Sequence, residues 1–115
     1  MTSEQVSQLD VVLAAVKEQF QHTLTYRILE IEKLMIEIDK GEPAAPRLAA
    51  ISDMAHKTAG VASTIGHVKL GSIASKIDAK IGRIGTGNNT AVDWATFRPK
   101  LSDFLDKMEE SLDVD

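Results

Sequence analysis

Residues 51–84 read ISDMAHKTAGVASTIGHVKLGSIASKIDAKIGRI, and their spacing decides the fold class. Before Gly66 the stripe Ile51, Met54, Ala55, Thr58, Ala62 and Ile65 recurs every three or four positions. After it, Leu70, Ile73, Ile77, Ile81 and Ile84 do the same. A strand would alternate in steps of two, so both segments are amphipathic helices, with Gly66 ending the first.

The same period extends outward in both directions. Val6, Leu9, Leu13, Val16 and Phe20 form one stripe, and Leu24, Ile28, Ile31, Met35 and Ile38 another, with Thr23 or Thr25 placed to cap a break between them. GEPAAP (41–46) is a turn, and GTGNNT (85–90) is a loop. The last stripe is Trp94, Phe97, Leu101, Phe104, Leu105, Met108 and Leu112. Pro99 lies inside it, which predicts a short turn around 91–97 before a main helix from about Arg98, or one kinked helix. Joints this short force successive helices to run antiparallel. The expectation is an all-α, antiparallel up-down-up-down four-helix bundle with an extra N-terminal helix, one domain over residues 1–115.

Composition narrows the function. A net charge of −4 argues against nucleic acid, which selects a concentrated basic face. No apolar run reaches the roughly 20 residues that span a bilayer, and the polar start MTSEQVSQLD does not read as a signal peptide, so a cytoplasmic protein with no membrane partner is expected. The chain has no cysteine, which excludes disulfides, thiol chemistry and Cys-based zinc sites. Three scattered histidines make no metal site. GRIGTG (82–87) lacks the strand and the Lys-Ser/Thr of a phosphate-binding loop.

His56 is the residue that periodicity does not absorb. On a helical wheel it lies roughly 150° from the centre of its helix's apolar stripe. Its neighbours there are Ser52, Asp53, Ala59, Gly60 and Ser63, all short. Gly60, at i+4, costs roughly 0.5–1 kcal/mol relative to alanine inside a helix. It either clears room for a group on the imidazole or lets a neighbouring helix approach. The next helix carries Gly71, Ser75, Asp78 and Gly82 on one flank. Asp78 is the ionisable group best placed to reach the imidazole, fix its tautomer and leave Nε2 outward as a nucleophile. A solvated charge, or an ion pair with Lys76 or Lys80, is its structural alternative.

These residues resemble the histidine-containing phosphotransfer (Hpt) family, whose motif is His, Lys at +3, Gly at +4, Gly at +10 and an apolar residue at +14. His56, Gly60, Gly66 and Leu70 match it, and Asp78 stands at +22, where the family has Gln or Glu. The resemblance covers most of the chain and implies a phosphorelay intermediate. Its His56 would accept a phosphoryl group from a receiver-domain aspartate, or from a histidine kinase, and pass it to another receiver. It implies no ATP site and no cofactor of its own, with Mg²⁺ supplied by the receiver, and it implies a monomer. Docking would surround His56, using Asp53, Lys57, Ala59, Val61, Ser63, Thr64, Ile65, His67, Lys69 and Leu70. The departure is Ala59 in place of the +3 Lys. Lys57, Lys69 and Lys80 are the candidates to screen the phosphoryl charge instead. Ala59 also keeps open a helical adaptor or inhibitor that docks on a kinase or receiver without being phosphorylated.

Overall fold

The computed structural model describes residues 2–84 and 90–112, and their side chains except at 3–6 and 90–93. It contains four helices: α1 (Ser3–Asp39), α2 (Ala44–Thr64), α3 (Val68–Ile84) and α4 (Thr90–Glu110), and no strand among the described residues. Nearly all of loop 85–90 lies outside the described residues, and Thr90 already opens α4.

Among the described residues the expected break in the first segment is absent, and there is no extra N-terminal helix. α1 runs unbroken for 37 residues, because nothing between Ser3 and Asp39 is Gly or Pro. Thr25 does not cap; its Oγ1 donates back to the Gln21 carbonyl at 3.0 Å, a bond the helix interior tolerates. His22, between the two threonine-flanked stripes, sits exposed in mid-helix. α4 likewise passes through Pro99 without a separate turn at 91–97. Pro99 and Ala95 are both exposed, so the carbonyl that loses its partner reaches water.

α1 ends in a full Schellman turn. Gly41 has φ +96, Glu42 N–H donates to the Glu37 carbonyl at 3.0 Å, and Gly41 N–H donates to Ile38 at 3.0 Å. α2 ends similarly at Gly66, φ +91, with His67 N–H on the Ala62 carbonyl at 2.8 Å. Glycine is needed at both places because φ is positive.

The core takes Phe20, Leu24, Ile28, Ile31 and Met35 from α1, Leu48, Ile51, Ala55 and Ala62 from α2, Leu70, Ala74, Ile77 and Ile81 from α3, and Phe97, Leu101, Phe104 and Met108 from α4. Asp39 at the end of α1 is held by Arg98 of α4, whose Nη2 donates to Oδ2 at 2.7 Å and whose Nε is shared between Oδ1 at 2.9 Å and Oδ2 at 3.0 Å, and by the Trp94 indole at 3.0 Å. Residues 7–19 of α1 lie beyond this core, all exposed. That overhang explains a radius of gyration of 16.4 Å, against about 13 Å for a globular chain of this length.

Candidate functional site

The seam between α2 and α3 builds the site. Gly71 of α3 is what lets the two helices close. A Cβ there would lie 3.3 Å from Ser63 Oγ and 3.5 Å from both the Ala59 carbonyl oxygen and the Ser63 nitrogen of α2. Two turns further along α3, Asp78 comes within reach of α2. Its Oδ2 lies 3.0 Å from His56 Nδ1, and its Oδ1 accepts from Ser52 Oγ at 2.5 Å. Ser52 and His56 are four residues apart, so they stand on adjacent turns of one face and share the two oxygens of one carboxylate.

The electrostatics follow from that sharing. The Ser52 hydroxyl is the main cause that holds the Asp78 carboxyl below its ordinary range; burial opposes it, and the smaller contribution of His56 adds to the lowering. An ionised carboxylate can only accept, so Nδ1 carries the hydrogen, and in the neutral ring the lone pair is then on Nε2. The His56 side chain is 78% exposed, so Nε2 is open to an approaching electrophile.

Gly60 faces open space. A Cβ there would meet no atom within 4 Å, so helix packing does not explain this glycine. On the outward side, Lys57 Nζ pairs with Asp53 Oδ2 at 2.9 Å. Below it, Arg27 of α1 donates from Nη1 to the buried Thr58 Oγ1 at 2.8 Å, and Thr58 donates in turn to the Met54 carbonyl at 2.7 Å. Burial lowers the Arg27 pKa and the charge of Asp53 opposes that, so Arg27 adds a second cation behind the Asp53–Lys57 pair.

The remaining expected residues divide. Ala59 is half-buried against the core, while Ser63 and Thr64 are exposed on the same helix, with Thr64 Oγ1 on the Gly60 carbonyl at 3.0 Å. Val61 and Ile65 are partly buried and Leu70 is buried. His67, expected in the docking set, is half-buried, its ring stacked on Phe20 with centroids 5.8 Å apart. Lys69 lines a groove with Gly66, Lys107 and Glu110 at the far end of α2 from Ser52. Lys80 lies beside Lys100 and Arg83, and the close approach of Lys100 pushes its ammonium below the ordinary value. Of the three candidate cations, only Lys57 neighbours His56 on α2. No group of three His, Cys, Asp or Glu side chains suited to a metal occurs among the described residues.

No family model, no curated protein and no solved structure matches the chain. Sequence reasoning missed two members of this neighbourhood. Ser52 appeared only as a short neighbour of His56, and Arg27 did not appear at all. Only the i, i+4 spacing of Ser52 and His56 could have pointed to a shared partner.

Proposed function

We propose that this chain is a histidine phosphotransfer protein of a two-component phosphorelay, with His56 as the phosphoryl carrier and the four helices forming an antiparallel up-down-up-down bundle. One observation carries the reading: an exposed imidazole whose Nδ1 rests on an ionised carboxylate, beside a helix glycine that faces open space. The Nε2 lone pair attacks the phosphorus of a receiver's aspartyl phosphate as the phosphorus–oxygen bond to the aspartate breaks. Asp78 then stabilises the positive ring that results, and the Gly60 clearing leaves room for the three phosphoryl oxygens. Catalysis is positioning and charge stabilisation, with Mg²⁺ on the receiver. Such a protein works in the cytoplasm, with receiver domains and a histidine kinase as its partners.

The test is incubation with a phosphorylated receiver, followed by a search for an acid-labile, base-stable adduct. Wild type takes up label and His56→Gln does not. If neither is labelled while both still bind the receiver, the chain is a non-phosphorylated adaptor instead.

A further inference from the structure

Residues 7–19 of α1 carry an apolar stripe that no described residue covers. Leu9, Val12, Leu13 and Val16 continue at helical spacing into Phe20, where the core begins. These four are between 38% and 58% exposed. At ordinary side-chain areas this leaves on the order of 300 Å² of apolar surface per chain, the size of patch that marks an interaction site.

We propose that the overhang pairs with the same segment of a second copy, antiparallel, about a two-fold axis passing near Leu13. The charges select this occupant and this direction. Asp10 follows Leu9 and Lys17 follows Val16, so the two lie seven residues apart on one flank of the stripe. A two-fold antiparallel pair sets that flank beside its own copy in reverse, bringing Asp10 of each chain to Lys17 of the other. A parallel pair sets it against the flank of Val12 and Gln19, which offers no charge. The geometry also leaves room. With Leu13 at the axis, the two cores sit at opposite ends of the paired helices. Residues 7–10 of each helix come to the mouth of the other chain's groove lined by Val16, Phe20, Thr23, Arg27 and Val61, an almost wholly apolar cleft of about 480 Å³. The expectation of a monomer gives way to a dimer that keeps its two His56 faces apart.

The absence of cysteine makes the test clean. Analytical ultracentrifugation of wild type gives twice the chain mass, and Leu13→Glu gives a monomer with its core melting transition retained. Under mild oxidation Leu13→Cys links to itself. Leu9→Cys does not, but it links to Val16→Cys when the two variants are mixed. A monomeric wild type overturns the proposal. So does a dimer unaffected by Leu13→Glu, or one in which Leu9→Cys links to itself as readily as Leu13→Cys, since that is a parallel pair.

Discussion

Replacing Gly60 by alanine separates stability from chemistry at a single atom. Gly60 lies inside α2 without a positive φ, and the added methyl meets nothing within 4 Å. No clash opposes the helix-propensity gain, so Gly60→Ala stabilises by roughly 0.5–1 kcal/mol. For a domain of this size that raises Tm by about 2–6 °C. The same methyl stands one turn from His56, in the space a phosphoryl group on Nε2 would use. Displacing the reacting groups from their attack geometry costs about tenfold in rate. Circular dichroism follows the melt, and phosphoryl uptake from a labelled receiver follows the chemistry. A fall in Tm refutes the reading of open space. A rise in Tm with unchanged uptake refutes the clearance role, and leaves Gly60 with no physical purpose.

Thr58→Val keeps the shape of a fully buried side chain but removes the oxygen that Arg27 binds at 2.8 Å, and stranding that guanidinium costs about 1–3 kcal/mol in urea titrations. Asp78 and Asp39 both have lowered pKa values, from the Ser52 and Arg98 hydrogen bonds respectively. A depressed carboxylate stabilises above its unfolded value, about 3.9, and that stability is lost as pH falls through the folded value. Tm therefore drops below about pH 4, and Asp39→Asn flattens the drop in melts from pH 2 to 6. Lys57 is held by Asp53 in an exposed pair worth at most about 1 kcal/mol, so a phosphoryl group on His56 can draw it away. Lys57→Ala then shortens the half-life of the phosphorylated protein and Asp53→Asn lengthens it, measured by loss of label.

The elements were legible where the cue is local. The α2–α3 turn follows from Gly66, the turn after α1 from Gly41, and the exposure of His56 from its place on the wheel. The first helix was misread because a threonine in mid-segment can cap a new helix or bond back to its own. Thr25 takes the second course, and only the absence of Gly and Pro from residues 3–39 signals it. Pro99 misled for a related reason, since its cost depends on whether the freed carbonyl meets water. The Ser52–Asp78 and Arg27–Thr58 bonds span 26 and 31 residues. They depend on how one helix is rotated against another, which no wheel of a single helix contains. Gly60 and Gly71 make the same point: one faces space and the other faces a backbone.

On the proposed phosphotransfer reading, Ala59 and Asp78, the two positions that differ from the motif the chain resembles, are linked through one seam. An aspartate is a methylene shorter than the glutamate or glutamine which that motif carries at +22, so its helix must stand closer to bring Oδ2 within 3.0 Å of His56. Gly71 permits that approach, and the residues of α2 opposite it, Ala59 and Ser63, are small. A lysine at 59 would have to bury its stem in a seam with no room for it. Closeness and a short acid are therefore coupled, and a double-mutant cycle measures the coupling. Gly71→Ala pushes against Ser63 Oγ at 3.3 Å and opens the seam by a few tenths of an ångström, which strains the short Asp78 contacts. Asp78→Glu alone places a longer chain in a gap cut for a shorter one. Made together, each relieves the other, and the pair is more stable than the sum of the single changes by about 0.5 kcal/mol or more. Strict additivity in urea denaturation would show instead that the small residues of the seam and the length of the acid are unrelated.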